Sequence, residues 1–308
     1  MKRAISIISV VFLFSVLSIF STSAFNDSGN FNLALVGIAD NEVAPIPSFS
    51  IATTSLYNIS AEGYLLVATT PDGLSIVAEK NINQKFYLAS ITKLMTVVII
   101  YENLSLTTPI QIDVEDINKN SSSGLFKAGN VMYASELLLS MLVESNNDAG
   151  WALARALGTS KFINLMNEKS QELGMTNTHF ENPVGLDPME NRDAGNVSTP
   201  KDLLILTNYI LKNYPEIFSI TRSETRPIVD FRGYFHHVST STNQLLSDRD
   251  FPYIILGGKT GQTPLANKNL LLIYRDPNLS NIIFISIVLN SKNQFEDSLN
   301  MARALQIH

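Results

Sequence analysis

The sequence predicts an α+β fold in which strands from both ends of the chain complete one antiparallel sheet, flanked by helices and carrying a helical subdomain. Three observations carry that expectation. Apolar or alternating runs with turn signals stand at 64–79 and again at 254–290, while the segments between them have helical length and patterning. The chain has 308 residues, 45% hydrophobic and 16% charged, which is enough for one sizeable core. The same composition excludes a disordered or collagen-like chain.

Cysteine is absent, which rules out a disulfide framework, a thiol nucleophile, an iron–sulfur cluster and a thiolate zinc site. Four histidines (His179, His236, His237 and His308) leave little for a histidine-built metal centre, so no metal or other cofactor is expected. A formal charge of −6 and a pI near 5.3 argue against a nucleic-acid partner, which would call for a basic stripe.

In chain order, Lys2 and Arg3 precede an uncharged, mostly apolar run that turns small and polar at Ser21-Thr22-Ser23-Ala24. This is the layout of a secretory signal peptide over residues 1–24, cleaved near Ala24. The uncharged stretch from Ala4 to Asn26 could also span a bilayer, so an uncleaved anchor is the alternative, whereas a lipoprotein anchor would need a cysteine. Residues 25–60, rich in Asn, Ser, Thr and Pro, read as a leader lying on the surface, and 61–308 as one domain. Residues 64–69, the turn Pro71-Asp72-Gly73 and residues 74–79 form a hairpin signal. Residues 90–104 have helical length and no exposed polar face, which implies a helix buried on most sides.

Further helices are expected at 135–143, 149–157, 161–173 and 201–211, the last with Thr199 as N-cap and Pro200 at its first position. Strands return at 254–259, 270–275 and 282–290, with Asp276-Pro277-Asn278 turning the last two, and 294–305 closes as a helix.

Three motifs carry chemistry. In Ser90-Ile91-Thr92-Lys93 a lysine follows a serine by three residues, on the same face of a helix. Serine needs a base to become a nucleophile, and a lysine whose pKa is lowered by burial or a cationic neighbour can supply it. Alone, such a pairing occurs about once by chance in a chain of this length. Ser145-Asn146-Asn147 offers a hydroxyl and a carboxamide two residues apart, able to relay a proton and bind a substrate amide; by itself it reads first as a helix-capping loop. In the segment Gly257-Gly258-Lys259-Thr260-Gly261-Gln262-Thr263 small residues would let a substrate backbone pair with a strand edge, beside the charge of Lys259 and the hydroxyl of Thr260. It is no phosphate-binding loop, because Pro252 stands where the first glycine would be.

The order Ser-x-x-Lys, Ser-x-Asn, Lys-Thr-Gly resembles the penicillin-recognising serine enzymes. Residues 89–96 (ASITKLMT), 145–149 (SNNDA), 173–186 (LGMTNTHFENPVGL), 197–202 (VSTPKD) and 258–263 (GKTGQT) are similar to the D-alanyl-D-alanine carboxypeptidase family of low-molecular-weight penicillin-binding proteins. The stretch 240–246 (TSTNQLL) resembles that family's Asn-x-Leu segment, and the likeness covers about residues 60–305. The resemblance implies a β-lactamase/transpeptidase-like fold and a bacterial periplasmic or cell-envelope location. Ser90 would be the acylated nucleophile and Lys93 its base; Ser145 and Asn147 would line the cleft and pass protons. Lys259, Thr260, Gly261, Gln262 and Thr263 would bind substrate, Lys259 taking its terminal carboxylate and helping to keep Lys93 neutral. The oxyanion hole would be the N–H groups of Ser90 and Gln262. Implied partners are peptidoglycan stem peptides ending in D-Ala, with β-lactam antibiotics as covalent inhibitors. The chain stops about 47 residues after Gly261, so the C-terminal membrane anchor of larger members is not expected.

The activity implied is a serine-type D-Ala-D-Ala carboxypeptidase, with a D-alanyl-D-alanine endopeptidase as the alternative. A class A β-lactamase would need a Glu-x-x-Leu-Asn stretch, but the corresponding segment reads Glu181-Asn182-Pro183-Val184-Gly185. A non-catalytic binding module would not require the full set of polar residues present.

Overall fold

The computed structural model describes residues 48–51, 58–70, 73–117, 124–188, 195–279 and 281–307. The expected signal peptide and most of the expected leader lie outside these residues. At the centre stands a five-stranded antiparallel sheet. Its strands, numbered in chain order, are β1 (Gly63–Thr70), β2 (Gly73–Lys80), β3 (Ile254–Thr263), β4 (Asn267–Arg275) and β5 (Ile283–Ser291). They lie side by side in the order β3-β4-β5-β1-β2, so the two ends of the chain meet where β5 pairs with β1. The expected antiparallel sheet completed from both ends is thus present.

Why these runs are strands follows from burial. β1, β4 and β5 are interior strands with both faces covered, which is why they read as nearly unbroken apolar sequence. Side chains of Leu65, Val67, Leu271, Ile273, Ile285 and Ile287 enter the larger core, and those of Leu66, Ala68, Leu270, Leu272, Tyr274 and Phe284 enter a smaller one. Among the described residues the helices longer than one turn are α1 (Lys93–Asn103), α2 (Ala134–Val143), α3 (Asn147–Ala156), α4 (Thr159–Glu172), α5 (Pro200–Asn213), α6 (Glu216–Thr221) and α7 (Gln294–Ala304). α1 runs through the larger core with every residue from Lys93 to Ile100 buried, while α7 closes the smaller core with Met301 and Ala302. α5 begins as its sequence says: Pro200 opens it and the Thr199 side chain accepts from the Asp202 N–H at 3.0 Å.

Several features differ from expectation, among them α6 and the pairing of Pro109–Gln111 with Val131–Tyr133. Regular structure begins ahead of Tyr64, because Phe49–Ile51 pairs antiparallel with Leu305–Ile307. β3 does not stop at Lys259 but continues through the glycine motif to Thr263. A hairpin of Thr225–Val229 and Phe235–Thr240, unforeseen in the sequence, packs against α2. Proline and two histidines interrupt its alternation, which hides the strand signal.

Candidate active site

Ser90 lies in a tight 3-10 turn, Ala89–Thr92, that leads directly into α1. The turn is held from two sides. From the sheet, Asn269 Nδ2 donates to the carbonyls of Tyr87 (2.8 Å) and Leu88 (3.1 Å). From the loop after α4, Gly185 with φ +86° presses so closely that a Cβ there would sit 1.8 Å from the Ala89 carbonyl oxygen. Ala89 itself adopts φ 47°, a left-handed conformation that costs energy in a non-glycine residue and is maintained by these neighbours.

Lys93 is fully buried, and its Nζ meets three oxygens: Ser90 Oγ at 2.7 Å, Asn147 Oδ1 at 2.6 Å and the Val184 carbonyl at 3.0 Å. Two of these only accept, whereas the Ser90 hydroxyl can donate. A neutral amine therefore satisfies all three, giving two N–H bonds to Asn147 and Val184 and offering its lone pair to the Ser90 O–H. Burial, reinforced by the charge of Lys259, holds the Lys93 pKa well below the ordinary lysine value.

Ser145 occupies the turn between α2 and α3 with φ 62°, another left-handed non-glycine residue. Asn146 caps α3 by accepting from the Ala149 N–H, which leaves Asn147 as its first residue, facing Lys93. Lys259 lies on β3, 2% exposed, and donates to Ser145 Oγ at 2.9 Å and to the Thr260 carbonyl at 3.1 Å. An ammonium has three donors, so one remains for a ligand. Burial draws the Lys259 pKa down to about 7. Among the described residues no carboxylate stands within ion-pair distance of either lysine.

β3 is an outer strand of the sheet, and Gly261 is where it passes the Ala89–Thr92 turn: a Cβ there would lie 2.8 Å from the Leu88 carbonyl and 3.1 Å from the Ser90 nitrogen. Gln262 follows with its side chain exposed. The Thr260 hydroxyl shares a short hydrogen bond with Thr242, and Thr263 Oγ1 donates to Asp187 Oδ1 at 2.6 Å. The structure thus brings Ser90, Lys93, Ser145, Asn147, Lys259 and Gly261 together and ties the Thr263 hydroxyl to a neighbouring loop.

Several contributors carry no role in the sequence reading. Asn182 Oδ1 accepts from the N–H groups of Val184, Gly185 and Leu186, which shapes the turn that aims the Val184 carbonyl at Lys93. Asn196 braces that turn, accepting from Glu181 and Asn182 N–H and donating to the Asn182 carbonyl and Thr92 Oγ1. Asn182 lies in the LGMTNTHFENPVGL string, so the signal was present, but a backbone carbonyl acting as a ligand leaves no mark on residue identity. Among the described residues no group of three or more His, Asp or Glu could hold a metal ion.

Residues 50–293 match the family model described as D-alanyl-D-alanine carboxypeptidase. The chain belongs to that family of serine peptidases. Among its relatives, the D-alanyl-D-alanine endopeptidase of Haemophilus influenzae is 29% identical over 226 residues, covering 70% of this chain and 72% of that protein. The D-alanyl-D-alanine carboxypeptidase DacC of Escherichia coli is 27% identical over 262 residues, 81% of this chain but 61% of DacC. Penicillin-binding protein D2 of Listeria monocytogenes, solved in a cefotaxime-bound form, has a TM-score of 0.68 and 26% identity over 80% of this chain and 97% of that one. The fold is accordingly that of the penicillin-binding peptidases.

Proposed function

We propose that this chain is a serine-type D-Ala-D-Ala carboxypeptidase acting on peptidoglycan stem peptides in the bacterial cell envelope. The observation that carries the reading is the convergence on two serines, at an outer strand, of two buried lysines that have no carboxylate partner among the described residues. Neutral Lys93 takes the Ser90 proton as Oγ attacks the carbonyl of the penultimate D-Ala. The electron pair moved onto the carbonyl oxygen is received by the N–H groups of Ser90 and Gln262. Collapse expels the terminal D-Ala as an amine, which takes the proton held on Lys93 by way of the Ser145 hydroxyl, and leaves an ester on Ser90 with Lys93 neutral again. Water then gives a proton to Lys93 as it attacks that ester, and Lys93 returns the proton to Ser90 Oγ as the shortened peptide leaves.

Lys259, with the Thr260 hydroxyl, receives the terminal carboxylate, and Asn147 orients both Lys93 and the substrate amide. Gly261 admits the peptide backbone to the edge of β3, and Thr263, held by Asp187, fixes the end of that edge. A β-lactam would follow the same first step and remain as a covalent adduct on Ser90. The likeness to the Haemophilus endopeptidase favours a second reading in which the same machinery cuts D-alanyl cross-links. Digestion of purified muropeptides separates the two. Loss of one D-Ala from pentapeptide monomers supports the carboxypeptidase, conversion of dimers to monomers supports the endopeptidase, and no change in either sinks both.

A further inference from the structure

Glu144 immediately precedes Ser145, and the reaction above gives it no part. Its carboxylate is met by donors from three directions: the Ser140 hydroxyl of α2, Asn146 Nδ2 at 3.2 Å and His237 Nε2 at 2.9 Å from the 225–240 hairpin. A carboxylate only accepts, so His237 carries its proton on Nε2. With His237 neutral, its Nδ1 is the acceptor for His236 Nδ1, 2.7 Å away, and the proton between the rings belongs to His236. Two fully protonated rings would point N–H groups at each other across that distance, so the pair holds at most one net positive charge. Phe126 seals the rings, stacked on His236 at 5.2 Å and edge-on to His237 at 5.6 Å.

Burial and the neighbouring His237 keep the His236 pKa below its ordinary value, against Asp230 and Glu144, which favour the cation. A second proton on His236 would sit on Nε2, where Asn130 Oδ1 stands 3.3 Å away. The run of hydrogen bonds from His236 Nδ1 to Glu144 is therefore unbroken whether or not that proton is bound. It ends on the turn whose next residues serve both lysines: Ser145 at Lys259 and Asn147 at Lys93.

We propose that Glu144 and His237 are positioning residues for the peptidase, holding the 144–147 turn against the hairpin so that Ser145 stays in its left-handed conformation facing Lys259. His236 fixes the tautomer that His237 needs. The inference rests on the reading of Ser145 as the proton path to the leaving amine. It follows that loss of the pair harms an amide substrate, whose leaving group needs that proton, more than a thioester, whose thiolate departs without one.

The test compares His237→Gln, which keeps an N–H donor, with His237→Met, which fills similar space without one, on a D-Ala-D-Ala peptide and its thioester analogue. His237→Met is expected to lower kcat/KM on the amide about tenfold or more and on the thioester by less than about threefold, with His237→Gln recovering most of the amide rate. Glu144→Met, which fills similar space without an acceptor oxygen, should show the same amide-selective loss should His237→Met fail to fold. Equal losses on both substrates, no advantage of glutamine over methionine, or unchanged kinetics would each overturn the proposal. A parent enzyme that cleaves neither substrate would overturn the peptidase reading itself, and the proposal with it.

Discussion

Arg155 and Lys259 are both cations partly or wholly withdrawn from water, and the molecule treats them in opposite ways. Arg155 stands among Asp113 (3.0 Å), Glu115 (3.7 Å) and the buried Asp116 (2.9 Å), and it also donates to the Gln111 carbonyl. The Asp116 hydrogen bond, with the surrounding carboxylates, raises its pKa further. Lys259 has a hydroxyl and a carbonyl but no carboxylate, and its pKa falls to about 7. Lys93, deeper still, falls well below its ordinary value. A charge that braces the helical subdomain comes with its counter-ions, whereas the two cleft lysines have none among the described residues; the proposed mechanism leaves that counter-ion to the substrate at Lys259 and takes Lys93 as the base.

The contrast can be broken most severely at Lys93. Lys93→Ala should slow acylation by labelled penicillin by about a thousandfold or more while circular dichroism stays native, since no other base reaches Ser90 Oγ among the described residues. A rate near that of the parent would remove the lysine base from the account.

Next comes the pH dependence. Lys259 is a cation below its pKa of about 7, so kcat/KM for a carboxylate-ended peptide should fall as pH rises through that value. Lys93 must be neutral, so its protonation supplies the acid limb. A carboxamide-ended analogue should bind more weakly and lose the alkaline limb; identical profiles for both would exclude Lys259 as the carboxylate site.

The structural cation gives a smaller effect of a different kind. Asp116→Ala should lower stability by about 2–3 kcal/mol, less than for a wholly buried pair because Arg155 is partly exposed, with acylation per folded molecule unchanged. Chemical denaturation followed by active-site titration checks both halves. Smallest is Thr199→Ala, which removes the α5 cap and should cost about 1 kcal/mol without touching the site.

The same comparison explains what could be read from the sequence. Ser90 and Lys93 are three residues apart on one helix, and the apolar run after them announces that Lys93 is buried; local geometry and burial were both legible. The Arg155 cluster was not, because its carboxylates lie some 40 residues away and become partners only when Val114–Ile117 packs on α3. Nor was the contact of Ser145 with Lys259, which spans 114 residues and depends on how α2 and β3 are brought together. A sheet completed from both ends followed from two apolar blocks at the chain's ends, but Phe49–Ile51 escaped notice. Three residues whose partner is the last strand carry no periodicity of their own. The 225–240 hairpin escaped for the reverse reason, since Pro227 and the adjacent histidines break the alternation that strands display.

Everything in this account converges on a single hydroxyl activated by a neutral lysine. The most direct test is mass-spectrometric mapping of the adduct formed with benzylpenicillin, in the parent and in Ser90→Ala. The account predicts one modified peptide, containing Ser90, and no adduct in the variant. An adduct on any other residue, or undiminished labelling of Ser90→Ala, would contradict it.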